Sequence, residues 1–153
     1  MLKGIDPILT GELLKVLDEM GHGDELVLAD RNFPALAAGA PVIRLGDVGT
    51  VRVVESLLRL FPLDGFLAHP IARMEVRDDA SLSTPVQDRV LALARAELGR
   101  DVEYETIPRL EFYQRIRRAR VVVQCLEAEP YSCFVLTKGV VWPEGAEPAP
   151  APQ

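Results

Sequence analysis

A histidine stands between two glycines in Met20-Gly21-His22-Gly23-Asp24-Glu25, just past a helical pattern and just before the apolar run Leu26-Val27-Leu28-Ala29, which ends at Asp30. Glycine adopts backbone angles that other residues resist and lets a ligand come close. Imidazole has an unperturbed pKa of about 6.5 and so exchanges protons near neutral pH. The pattern suits a general acid or base. It equally suits a plainer arrangement, with Gly21 ending a helix and His22 an exposed loop residue.

Other chemistries find little footing. The two histidines, His22 and His69, are far apart in sequence, and neither belongs to a His-x-x-x-His or Cys-x-x-Cys pattern, so no metal site is expected. No glycine-rich loop follows a strand to hold a nucleotide cofactor, and no Gly-x-Ser-x-Gly elbow presents a nucleophile. Cys125 and Cys133 each sit in an apolar, β-branched run where a thiol serves as a small hydrophobe, and they imply no disulfide framework. Proton transfer without a cofactor remains.

Composition narrows the setting. With 17 basic against 23 acidic residues the chain carries a net charge of −6, which offers no footprint for a phosphate backbone. The cluster Arg115, Arg117, Arg118 and Arg120 reads as a solvated helix end or a subunit contact. Lys3 and Asp6 stand where a signal peptide needs an apolar core, and no window approaches the ~18 apolar residues of a membrane span. A cytoplasmic location is expected.

The elements that must position these groups alternate along 153 residues, a length that suits one core. Thr10 caps a helix with Leu13, Leu14, Leu17 and Met20 at helical spacing, stopped by Gly21. Glu25 to Ala29 is a buried strand, 31 to 41 a loop, and Val42 to Leu45 a short strand. A second helix runs from a Thr50 cap through Val53, Val54, Leu57 and Phe61 to Pro62, and Ile71 to Val76 is a strand. Thr84-Pro85 opens a third helix that ends at Gly99. Val102 to Ile107 is a strand, Pro108 opens a helix reaching Arg120, and two strands follow, Val121 to Leu126 and Cys133 to Thr137. The expected fold is α/β: a single three-layer domain over residues 1–142, with a mixed, mostly parallel β-sheet flanked by helices. Residues 143–153, rich in proline and alanine, are expected to be a disordered tail.

Asp30 falls at the carboxyl end of its strand, where α/β folds usually bind ligands, and also fits a turn cap in the loop that follows. Arg109 and Tyr113, four apart, share one face of their helix. Taken alone they read as a surface charge and a core aromatic.

Several segments together resemble the ribose pyranase and fucose mutarotase family, and its fucose branch more closely. They are Met1-Leu2-Lys3-Gly4-Ile5, Leu13-Leu14-Lys15-Val16-Leu17, Glu19-Met20-Gly21-His22-Gly23-Asp24-Glu25, and Asp30 followed by Asn32-Phe33-Pro34-Ala35. Arg109, Phe112-Tyr113, Tyr131 and Leu136-Thr137-Lys138-Gly139-Val140 follow in the same order, so the likeness covers most of residues 1 to 140. It implies a mutarotase that interconverts the anomers of a free monosaccharide. One group takes the proton of the anomeric hydroxyl, another protonates the ring oxygen, and the open aldehyde rotates and recloses. His22 becomes the catalytic acid or base, a role typically contributing 10²–10⁴-fold. Asp30, Arg109, Tyr113, Tyr131 and Cys133 become substrate-binding candidates. The resemblance also implies ring-shaped homo-oligomers, usually decamers, with pockets at subunit contacts.

The chain departs from the family where the fucose branch reads Tyr-Gly-Asn and it reads Tyr131-Ser132-Cys133, replacing an amide with a weakly hydrogen-bonding thiol. Asn32 stands where members often carry histidine, and Leu36 replaces a polar residue. Specificity different from fucose would follow. If residues 25 to 29 are fully extended, His22 and Asp30 lie as much as ~25 Å apart in one chain, so either the backbone bends sharply at Gly23 or a second subunit completes the pocket. The rival expectation is a non-catalytic sugar-binding or scaffolding ring of the same fold. A titrating His22 favours catalysis.

Overall fold

The computed structural model describes residues 2–143 and 146. The expected tail therefore lies, apart from Pro143 and Ala146, outside the described residues.

Among the described residues, four α-helices and six strands follow one another in the order expected. They are α1 (Gly11–Glu19), β1 (Glu25–Ala29), β2 (Val42–Arg44), α2 (Thr50–Leu57), β3 (Ile71–Met74), α3 (Pro85–Leu98), β4 (Glu105–Ile107), α4 (Arg109–Arg115), β5 (Val121–Gln124) and β6 (Phe134–Thr137). The Thr10 side chain accepts the Leu13 N–H and starts α1. At α3, Thr84 and Gln87 form a reciprocal capping box with Pro85 in the first turn, and left-handed Gly99 closes the helix.

Element ends differ from expectation where tertiary contacts intervene. Gly21 is not the left-handed stop of α1: Met20 leaves the helix in an extended conformation, and the positive φ of the loop falls at Gly23 (83°). The caps of α1 come from Lys138 instead, whose Nζ donates to the carbonyl of Leu17 at 2.7 Å and also to that of Met20. These are carbonyls a helix end leaves without partners. Gly49 rather than Thr50 caps α2, which ends at Leu57, and a short 3-10 turn, Ile116–Arg118, finishes α4 before Arg120.

The sheet order is β2-β5-β1-β6-β3-β4. β1 pairs parallel with β5, as does β2, and β3 pairs parallel with β4. β6 alone runs antiparallel, inserted between β1 and β3. The sheet is thus mixed and mostly parallel, but the reversed strand does not pair with β5, its neighbour in sequence. Strands buried on both faces are apolar at successive positions. Leu26, Leu28, Val121, Val123, Phe134 and Leu136 pack toward α1, α2 and α3. Val27, Ala29, Val122, Cys133 and Val135 pack on the opposite face against Phe33, Phe112 and Ile116. Two cores and one sheet make three layers.

Arg115, Arg118 and Arg120 of the arginine cluster form ion pairs within the chain. Arg115 grips Glu25 through Nε and Nη2, at 2.7 Å for the shortest contact, and reaches Glu105 at 3.1 Å. Arg120 pairs with Asp24 at 3.1 Å. Among the described residues no helix is long and apolar enough to cross a membrane.

Candidate active site

Strand polarity sorts the candidate residues into two groups. Five strands point one way, so their carboxyl ends share one edge of the sheet, and reversed β6 begins there with Cys133 just before it. Asp30, Arg109, Tyr113, Tyr131 and Cys133 all belong to this edge. His22 lies at the opposite edge, before β1, where β6 ends.

At the carboxyl edge Asp30 is buried. Its Oδ1 accepts the Asn32 N–H at 2.9 Å, the turn-capping arrangement weighed from the sequence, and its Oδ2 accepts the Cys133 thiol at 3.5 Å. A carboxylate offers about four acceptor positions, of which two are taken among the described residues. Gln124 Nε2 donates to the carbonyls of Asp30 and Phe33 and so holds the loop after β1. Phe33 meets Tyr113 with ring centroids 5.6 Å apart, which brings Tyr113 into the same group. Cys133 is fully covered, and burial, with the Asp30 carboxylate beside it, pushes its thiol well above the usual thiol range. It contacts the sugar-binding candidate Asp30 from beneath.

Tyr131 takes a left-handed backbone conformation (φ 63°), rare for a residue with a side chain. Gln87, wholly buried, holds it there: its Nε2 donates to the carbonyls of Tyr131 and Met74, each at 2.9 Å, while its Oε1 accepts Arg73. The neighbouring Ser132 hydroxyl is buried with no partner among the described residues. Arg109 opens α4 with its N–H on Asp78 Oδ1 at 2.7 Å, leaving its side chain exposed.

At the other edge His22 has a partner the sequence reading missed. Its Nε2 lies 3.0 Å from Oδ2 of Asp64, whose side chain is 4% exposed against 52% for the imidazole. An ionised carboxylate can only accept, so Nε2–H donates, which in the neutral imidazole leaves the lone pair on Nδ1. Asp64 is itself fixed: Oδ1 accepts the Phe66 N–H at 2.9 Å, and its own N–H reaches the Thr137 carbonyl. Gly139 packs against this turn so closely that a Cβ there would sit 2.4 Å from the Leu63 carbonyl oxygen. The loop carrying His22 is pinned by Gly23 N–H to the Lys138 carbonyl and by Gly21 N–H to Asp24 Oδ2 at 2.8 Å. That Gly21 bond above all, with Arg120 beside it, lowers the Asp24 carboxyl from its ordinary value. A half-exposed imidazole oriented by a buried carboxylate has the arrangement that proton transfer to or from a ligand would need.

The backbone does turn at Gly23, yet not enough to join the two edges. From Asp24 the chain runs extended along β1, and six residues to Asp30 at ~3.3 Å each span about 20 Å. One chain therefore does not bring His22 to Asp30. A cavity of about 610 Å³ beside β2 and β5 is lined by Arg31, Phe33, Leu36, Arg44 and Gln124 among others, and includes neither His22 nor Asp30 nor Tyr113. Among the described residues no three His, Cys, Asp or Glu side chains converge to hold a metal ion.

Comparison with known proteins bears on the whole chain. The model of the RbsD / FucU transport protein family matches residues 3–141. An L-fucose mutarotase of Actinobacillus pleuropneumoniae is 40% identical over 140 residues, covering 92% of this chain and 97% of that one. Among solved structures, FucU from Bifidobacterium longum superposes with a TM-score of 0.83 at 39% identity, covering 92% of this chain and all (100%) of that one. The fucose mutarotase from Streptococcus pneumoniae, solved in complex with L-fucose, gives 0.77 at 33% identity with the same coverage, 92% and 100%.

Proposed function

The chain belongs to the RbsD / FucU transport protein family, and from that premise we propose that it is a monosaccharide mutarotase, acting on a fucose-like sugar by acid and base catalysis of ring opening. The observation that carries the reading is the His22–Asp64 pair. Asp64 keeps the proton on Nε2, so Nδ1 takes the proton of the anomeric hydroxyl. The C1 to ring-oxygen bond then breaks as the ring oxygen takes a proton from solvent water, to which the imidazolium returns its own, and rotation about the C1–C2 bond followed by closure, with the same transfers in reverse, gives the other anomer. The Asp64 carboxylate stabilises the imidazolium formed on the way.

The sugar is bound where two copies meet. His22 of one copy and the Asp30 edge of another make one pocket, because about 20 Å separates these groups within a chain. Asp30 accepts from sugar hydroxyls, while the Tyr113 phenol and the Arg109 guanidinium are the donors its edge offers, with Tyr131 and Cys133 shaping the floor. Exposed apolar side chains at both edges support such an assembly: Leu36, Leu110 and Leu126 near Asp30, and Leu67 and Val141 near His22. A ring is the closed form of a head-to-tail contact, and the decamer of the resemblance is the expected size. The two cysteines are free and buried, as suits a cytoplasmic enzyme.

Mixing separates this reading from a shared fold without catalysis. His22→Ala and Asp30→Ala proteins should each lose anomer exchange by about 10²-fold or more. When subunits are mixed and reassembled, activity should return in part, because some pockets draw both intact halves. Saturation-transfer NMR across a panel of aldoses reads the rates, and light scattering reads the mass. Active monomers, or mixtures as inactive as their components, would refute the shared pocket, and wild-type exchange in His22→Ala would refute the mechanism.

A further inference from the structure

Beside His22 stands an aromatic file that the proton-transfer step does not use. The rings of His22 and Phe66 have centroids 5.6 Å apart, and Phe66 and Trp142 follow at 6.1 Å, each pair tilted by just over 50° (52° and 54°). Phe66 is 37% exposed and Trp142 41%, large aromatic surfaces open to solvent beside a polar pair. Their placement is built in. Phe66 follows Asp64, whose carboxylate holds the Phe66 N–H. Trp142 arrives on the segment leaving β6, which Gly139 lays against Leu63 and Asp64 through its N–H bond to the Pro62 carbonyl. The same contact that fixes the partner of His22 therefore delivers Trp142.

We propose that Phe66 and Trp142 form an aromatic wall of the His22 pocket that stacks on the apolar face of the sugar and selects which monosaccharides are turned over. The inference rests on the mutarotase reading and adds to it a specificity determinant from the C-terminal segment. A sugar of galacto configuration carries the hydrogens of C3, C4 and C5 on one side, and a 6-deoxy sugar adds a methyl group beside them. That patch matches the electron-rich face of an aromatic ring. A pentopyranose such as D-ribose has no C6, so it lacks the methyl part of that patch and buries less apolar surface against the wall. The wall thus favours L-fucose over D-ribose without a hydrogen bond, which complements the Asp30 edge, where Cys133 has replaced an amide.

Trp142 is the chain's single tryptophan, so the protein's own fluorescence reports this wall. L-Fucose should change the fluorescence of the wild-type protein saturably, with the same half-saturation as exchange measured by NMR. Trp142→Ala should raise that half-saturation by about tenfold while the limiting rate stays within a factor of about two, the pattern of lost uniform binding. Trp142→Phe should recover most of the loss. D-Ribose, without the methyl group, should show a clearly smaller rise than L-fucose between wild type and Trp142→Ala. Fluorescence indifferent to saturating L-fucose, an unchanged half-saturation in Trp142→Ala, or a Trp142→Ala protein that falls to smaller species in light scattering would overturn the wall. A wild-type protein that binds L-fucose by fluorescence but exchanges no sugar would overturn the mutarotase reading and leave the wall standing.

Discussion

Asp64→Asn isolates the contribution of the buried carboxylate, because the change keeps the shape of the side chain and removes only its charge. Asparagine retains Oδ1 for the Phe66 N–H, now 2.9 Å away, and the Thr137 contact is made by the backbone. The fold should therefore survive. What changes is the 3.0 Å contact with His22 Nε2. The amide turns its N–H₂ toward the ring, Nε2 becomes the acceptor, and the proton moves to Nδ1, which then has no lone pair for the anomeric hydroxyl. A hydrogen bond to a charged group contributes about 1.5–3 kcal/mol, equivalent to roughly 10- to 150-fold in rate. The imidazole is 52% exposed, so solvent screens the pair and places the expectation in the lower part of that span, about 10- to 30-fold. The assay is the limiting anomer-exchange rate for L-fucose by saturation-transfer NMR, beside thermal unfolding and light scattering to verify that fold and assembly are intact. A folded, assembled Asp64→Asn protein exchanging at the wild-type rate would remove Asp64 from the mechanism and leave His22 acting alone.

Cys133→Asn should restore an amide beneath Asp30 and shift the ratio of exchange rates for L-fucose over D-ribose by roughly 1–3 kcal/mol, the cost of a buried polar group left unpaired; an unchanged ratio would mean that this position does not govern the pocket. Gly139→Ala forces a Cβ to within 2.4 Å of the Leu63 carbonyl oxygen, so it should lower stability by about 1–3 kcal/mol, read as a drop in Tm, and slow exchange through displacement of Asp64. Asp24 supplies a pH test. Its carboxyl is lowered in the folded chain from the ordinary 3.8, so its stabilisation is full above that value and fades as pH falls through the folded one. Urea melts should accordingly show wild type more stable than Asp24→Asn at pH 7 and the gap closing below about pH 4; a gap that persists at low pH would contradict the assignment.

Much of this molecule is written in local pattern. Thr10 and the Thr84-Pro85 pair cap their helices as expected because a cap depends on residues within one turn. The apolar run Glu25–Ala29 forms its strand because both faces of a central strand are covered. His22 between its glycines and Asp30 at a strand end are likewise visible in the sequence. Other features depend on residues far apart in the chain. No local signal says that β6 reverses between β1 and β3, a placement that sets Cys133 under Asp30 and Lys138 over the end of α1. Asp64 stands two residues after the Pro62 that ends a helical pattern and becomes a partner of His22, 42 residues away, only when β6 and Gly139 draw the two loops to one edge. Gln87 is a capping residue by spacing, yet it also holds the left-handed Tyr131 across 44 positions. Hydrophobic periodicity reports which face of an element is buried and is silent on which neighbour buries it. Strand order and register decide that, and with them which side chains meet at each edge of the sheet.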